Sequence, residues 1–198
     1  EPKEPDSRRP IEFPVLRGMI DELPAVCTSR YEQALFRAAF SLAFFGAFRS
    51  SELVARSKGD TSMKALAMQD VEIRDSLLRI RVRSSKTDQT GKGATVILHA
   101  LGEKPYCPVA SLQQFMGTRP AGAGCLLVHA DSSPLTMFQF RMMLGKTLVS
   151  AGYESGQYST HSFRIGAATT AFKEGLPEGA IKSIGRWASD KFRLYVRP

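Results

Sequence analysis

The sequence is poor in the residues from which metal and redox centres are built: three cysteines, three histidines and one tryptophan in 198 positions. Cys27, Cys107 and Cys125 are odd in number and scattered, which speaks against a disulfide framework and for a reducing compartment. No C-x-x-C pair is present. The C-x-x-x-H of Cys125 and His129 stands alone, and His99 and Cys107 add no zinc-ligand spacing to it. No metal is therefore expected, and the thiols read as buried. No apolar run is long enough to cross a bilayer, because SLAFFGAF is bounded by Arg37 and Arg49. A signal-peptide layout is missing too, and the first residue is Glu rather than Met, which suggests an excised or processed fragment.

What remains is an ordinary globular composition with a basic bias. Hydrophobic residues make up 43% and charged residues 23%, and 198 residues suit one domain, or one domain with a tail. Lys and Arg number 27 against 19 Asp and Glu, a net charge of +8. Such a field attracts polyanions, nucleic acid first among them, although charge alone also serves solubility.

The opening EPKEPDSRRP is charged and proline-rich, so 1–25 is read as a linker or tail and 26–198 as the folded domain. Leu35, Ala38, Ala39, Leu42, Phe45 and Gly46 recur at helical spacing and predict a largely buried helix over 31–47. Ser50 or Ser51 caps the next helix in this reading. Farther on, Leu78, Ile80 and Val82 alternate with Arg79, Arg81 and Arg83, a half-buried strand with a basic outer face. With VEIR before it and ATVILHA after it, this predicts a small three-stranded antiparallel sheet with Lys86 at or near a hairpin tip. Helices then follow: one with Pro108 in its first turn, one capped by Thr136, and an Ala-rich one opened by His161 and ending near Gly175. A short one over 177–184 comes next, and a last one is capped by Ser189 and carries Phe192 and Tyr195. The fold class is α+β, predominantly helical.

The candidate chemistry lies near the C-terminus. Thr160-His161-Ser162-Phe163-Arg164 is an H-x-x-R motif that puts an imidazole and a guanidinium on one face at a helix start, a setting suited to phosphate. Alone it is a common string. Ile184-Gly185-Arg186-Trp187 follows, then Ala188-Ser189-Asp190, Phe192, Tyr195 and Arg197-Pro198. With HSFR, this ending resembles the tyrosine recombinase (phage integrase) family. GRWASDKFRLYVRP together with Cys107-Pro108-Val109 is closest in flavour to recombinases of eukaryotic DIRS-like and Crypton mobile elements.

The resemblance implies an upstream Arg at a turn with a carboxylate soon after, which Arg49 and Glu52 supply, and a hairpin Lys, which Lys86 supplies. The family's six active-site positions are then filled by Arg49, Lys86, His161, Arg164, Trp187 and Tyr195. Many members have His where this chain has Trp187, and indole donates one hydrogen bond without carrying a proton. What the resemblance implies is cofactor-free DNA cleavage and rejoining with Tyr195 as nucleophile, Arg49 and Arg164 on the phosphate, His161 taking the tyrosine proton and Lys86 protonating the leaving oxygen. Glu52 would support the cluster. An N-terminal core-binding domain is expected to be absent from this fragment. Double-stranded DNA is the expected partner, in a homotetramer on synapsed DNA formed from monomers, with no membrane. The nucleus is the expected location for a eukaryotic element, and the cytoplasm or nucleoid otherwise. Plainer readings stand beside these: a surface ion pair for Arg49 and Glu52, core packing for Trp187 and Tyr195, a solvated lysine at 86. For Arg79, Arg81 and Arg83, a bare strand face and a DNA-backbone contact are equally open. A silent DNA-binding module of the same fold and a type IB topoisomerase-like enzyme are the alternative functions.

Overall fold

The computed structural model describes residues 7–83 and 93–197. In chain order its elements are α1 (Phe13–Asp21), α2 (Leu23–Val26), α3 (Arg30–Phe45), α4 (Ser50–Leu53), β1 (Val71–Arg74), β2 (Leu77–Val82) and β3 (Ala94–His99). Then come α5 (Pro108–Met116), α6 (Met137–Ser150), α7 (Ser162–Lys173) and α8 (Glu178–Gly185), with a 3₁₀ turn at Asp190–Leu194. None of the described helices is long and apolar enough to cross a membrane.

The most apolar stretch of sequence becomes the central helix. Ser29 caps α3 by accepting the Glu32 amide at 3.1 Å. Every residue from Ala34 to Phe44 except Arg37 is buried, so α3 is covered on nearly all sides, against α5, α7 and α1. Phe40 meets Phe163 of α7 and Phe140 of α6, each at 5.7 Å between ring centroids, which fixes α7 directly on the core. The sheet is antiparallel in the order β1-β2-β3. Its middle strand buries Leu78, Ile80 and Val82 and exposes Arg79 and Arg81, as the alternation predicts.

Three expectations need correction. Residues 13–26, assigned for the most part to a linker or tail, form α1 and α2, and Ile11, Leu16, Met19, Ile20 and Leu23 belong to the main core. The 16–19–20–23 spacing is helical, but the Pro-rich, charged opening masks it. The helix expected to reach 47 ends at Phe45, because Ala47 takes a left-handed φ of 44°. The last helix, expected to carry Tyr195, is the 3₁₀ turn, and Tyr195 is the residue just after it. Ser189 does cap that turn, as expected.

Candidate active site

The reversal after α3 builds the first part of the site. A side chain at Gly46 would put its Cβ 2.1 Å from the Phe48 ring, so glycine lets the chain fold back on itself there. The cap of α4 is Arg49 rather than a serine. Glu52 reaches back with both oxygens: Oε2 accepts the Arg49 amide and Oε1 pairs with Arg49 Nη1, each at 2.9 Å. Glu52 is buried, so this pair is desolvated and less screened by salt than a surface bridge would be. Arg49 and Glu52, expected together, are found together.

α7 brings the second part. Thr160 donates to Ser50 at 3.2 Å, which ties the H-x-x-R motif to the Arg49 turn. His161 occupies the cap position of α7, and Phe163 turns into the aromatic core. Arg164 is wholly buried. Its Nη1 donates to the Ala47 carbonyl, and its Nη2 donates to the Gly185 carbonyl at 3.0 Å.

The C-terminal tail closes over these groups. Trp187 and Phe192 pack with Ala168, Ala171 and Ile181 in a second small core, against which Tyr195 is half-buried. The Tyr195 ring lies 4.9 Å from both the His161 and Trp187 rings. The Arg164 guanidinium sits 4.8 Å from the Trp187 ring centroid and 5.6 Å from that of Tyr195. His161, Arg164, Trp187 and Tyr195 are thus one cluster, and the Thr160–Ser50 bond sets Arg49 beside it.

Sequence reasoning passed over Arg186. It takes φ 55° and ψ 45°, left-handed values usually left to Gly or Asn at a helix end. Its guanidinium reaches Glu52 Oε2 and the Gly46 carbonyl, both at 2.8 Å. The only sequence signal was a bulky residue directly after the helix-ending Gly185.

Two guanidiniums, of Arg49 and Arg186, therefore pair with one carboxylate, and that of Arg164 lies within electrostatic reach of all three. Burial and the neighbouring Arg49 and Arg186 push the Arg164 pKa down to about 10, which still leaves it charged at neutral pH. Arg186 is likewise lowered, chiefly by burial. Among the described residues, Arg164 Nε, Arg186 Nε and Trp187 Nε1 are buried donors with no hydrogen-bond partner. Excess positive charge and unfilled donors in one place are what an oxyanion would complete.

Other predicted positions fare differently. Lys86 lies outside the described residues. Arg79 and Arg81 stand on the open face of β2, but Arg83, the third of that row, is turned inward, with Nε 2.7 Å from Asp70 Oδ1. An open groove of about 710 Å³ includes Arg49 and is lined by Arg56, Lys64 and Arg141, with Asp60 and Phe138 among them. Cys107 is buried and caps α5, while Cys27 and Cys125 are only partly covered. Burial, then Glu32, pushes the Cys27 thiol up to about 12, so it stays protonated. Among the described residues no group of three or more His, Cys, Asp or Glu could hold a metal ion.

No family model and no curated relative matches the sequence. Solved structures do match. The XerH site-specific recombinase bound to its difH substrate, before cleavage, is similar over 98% of this chain and 51% of its own, at 16% identity and a TM-score of 0.73. A lambda integrase dimer bound to a COC′ core site is similar over 96% of this chain and 48% of its own, at 13% identity and a TM-score of 0.65. The Tn1549 transposon integrase in complex with circular intermediate DNA matches over 100% of this chain and 63% of its own, at 16% identity and a TM-score of 0.62. The chain spans about half the length of the first two. At such identities the likeness establishes the fold, that of a tyrosine recombinase catalytic domain.

Proposed function

We propose that this chain cleaves and rejoins DNA strands through a 3′-phosphotyrosyl intermediate on Tyr195, in site-specific recombination that moves a mobile element. The observation that carries this reading is the cluster itself: a tyrosine against His161, Trp187 and Arg164, beside a buried excess of guanidinium charge. Tyr195 Oη attacks the scissile phosphorus, a Tyr–O–P bond forms, and the P–O5′ bond breaks. The tyrosine proton passes to His161, the nearest imidazole. Lys86 gives a proton to the leaving 5′-oxygen, a role taken from the family resemblance. Arg49 and Arg164 take the nonbridging oxygens, and Trp187 Nε1 donates one hydrogen bond to them. Attack by a 5′-hydroxyl reverses each bond change, so rejoining consumes no nucleotide.

One movement is required. Arg164 is fully covered, with the Tyr195 and Trp187 rings against its guanidinium, so these rings must swing aside for phosphate to enter. The groove carrying Arg56, Lys64 and Arg141 would then guide the DNA backbone toward Arg49. The similar recombinases and integrases are complexes with DNA, which supports double-stranded DNA as the partner.

The test is a nicked suicide duplex carrying the element's terminal sequence, incubated with the protein and EDTA. A covalent protein–DNA band that maps to the Tyr195 peptide is the expected result. DNA binding to the same duplex with no covalent band would overturn the proposal in favour of a DNA-binding module. The binding should also be salt-sensitive. Raising salt from about 50 to about 200 mM should weaken it about 10- to 100-fold, as expected for a few phosphate contacts, and a flat response in a titration series would remove the backbone-contact role of the groove.

A further inference from the structure

We infer that Arg186 is a positioning residue: it holds one oxygen of Glu52 so that the other holds Arg49, and it anchors the Tyr195-bearing tail to the Arg49 turn. For its activity readout this inference rests on the function proposed above.

The geometry is specific. Arg186 Nη1 donates to the Gly46 carbonyl at 2.8 Å, and Nη2 donates to Glu52 Oε2 at 2.8 Å and to the Ala47 carbonyl at 3.3 Å. The same guanidinium lies 5.1 Å over the Phe48 ring. One side chain thus grips three successive residues of the α3–α4 reversal and the carboxylate beyond them. The pairing joins residues 134 positions apart, so it ties the C-terminal tail to the N-terminal half of the site. With its side chain 10% exposed and that of Glu52 5% exposed, the contact is desolvated and set by geometry rather than by loose attraction.

Two further features argue that the side chain is placed for this contact. Arg186 sits in left-handed backbone, where a non-glycine residue is strained, and that conformation directs the guanidinium back toward the reversal. Its flanking residues belong to the cluster: the Gly185 carbonyl accepts from Arg164, and Trp187 packs, tilted, against Tyr195. Arg186 and Arg164 also share the Ala47 carbonyl, so the two guanidiniums are held at a fixed separation. Without Arg186, Glu52 Oε2 keeps the Arg49 amide as its remaining donor, the carboxylate charge turns wholly to Arg49, and the Arg49 guanidinium is drawn away from a phosphate. Lysine retains charge but has no planar fork to reach the carboxylate and two carbonyls together.

The experiment compares the intact chain with Arg186→Gln, Arg186→Lys, Glu52→Gln and the Arg186→Gln/Glu52→Gln pair. The first readout needs no activity: the side-chain Nε–H resonance of Arg49 in a ¹H–¹⁵N spectrum, beside Tm. Arg186→Gln should shift or broaden that resonance while the rest of the spectrum stays folded, and Arg186→Lys should lie between. The second readout is single-turnover adduct formation at saturating protein. Arg186→Gln should slow it about 10- to 100-fold, the cost of a misplaced reacting group, with DNA affinity within about threefold. Arg186→Lys should restore part of the rate, and the double variant should be no slower than Glu52→Gln alone, the signature of a shared path. An unmoved Arg49 resonance in folded Arg186→Gln overturns the inference. So does additive loss in the double variant. If the intact chain forms no adduct, the proposed function fails, and the Arg49 resonance still decides the role of Arg186.

Discussion

Arg164→Ala is expected to slow covalent adduct formation by about three orders of magnitude, the upper end of what loss of one preorganised donor costs, and to destabilise the protein as well. Tyr195→Phe should abolish the adduct outright and leave Tm nearly unchanged. The contrast follows from what each change removes. Tyr195→Phe deletes one oxygen and keeps the ring that packs on His161 and Trp187. Arg164→Ala empties a wholly buried site and takes the side-chain donor from the Gly185 carbonyl, while the Ala47 carbonyl keeps Arg186 as a donor. An unpaired buried carbonyl and a cavity together cost roughly 2–4 kcal/mol, less what is regained by no longer burying a charge. Adduct rates and thermal melts on the same samples separate the two effects. Nonspecific DNA binding should persist in both variants, since Arg79, Arg81 and the groove cations remain. Arg164→Ala protein that folds and cleaves at the parental rate would end the phosphate-clamp role.

The site was legible in the sequence to the extent that its residues sit in local patterns. H-x-x-R at a helix start is a local fact, and α7 places His161 and Arg164 as the spacing demands. Arg49 and Glu52 were legible only through the family resemblance, which asks for an Arg at a turn with a carboxylate soon after, and the fold sets Glu52 back on the Arg49 amide. The strand alternation located Arg79 and Arg81, then failed at Arg83, where Asp70 offers a stronger partner than solvent. Arg186 was not legible, since the carboxylate and carbonyls that bury it come from residues 46–52 and only the tertiary fold brings them there. The covering of Arg164 by two aromatic rings was hidden for the same reason. The N-terminal helices were missed for a different cause: composition dominated the reading of a segment whose hydrophobic spacing was already helical.

That segment leads to a prediction about the site from outside it. Gly166→Ala, at a helix position where alanine is normally favoured by up to about 1 kcal/mol, should instead destabilise the protein by roughly 2–4 kcal/mol. The added Cβ would lie 1.7 Å from the Ile11 carbonyl oxygen and 2.3 Å from its carbon, a collision with backbone rather than with a side chain that can turn away. The strand of chain before α1 is pinned there. Arg9 donates its amide to the Gln157 carbonyl at 2.8 Å, and Ile11 donates to the Ser162 carbonyl at 2.9 Å, with the Ile11 side chain fully buried. Relief of the clash must lift this strap off α7, exposing Ile11 and breaking its bond to the residue between His161 and Phe163. Gly145→Ala in α6 is the control, because nothing lies within 4 Å of its Cβ, and it should raise stability by about 0.4–1 kcal/mol. Thermal melts should thus move in opposite directions for two identical substitutions in two helices. Hydrogen exchange at the Ile11 amide, slow in the parent, should accelerate only in Gly166→Ala. Equal Tm for the two variants would mean that the strap is not seated on α7, and that the segment before α1 exerts no hold on the H-x-x-R helix.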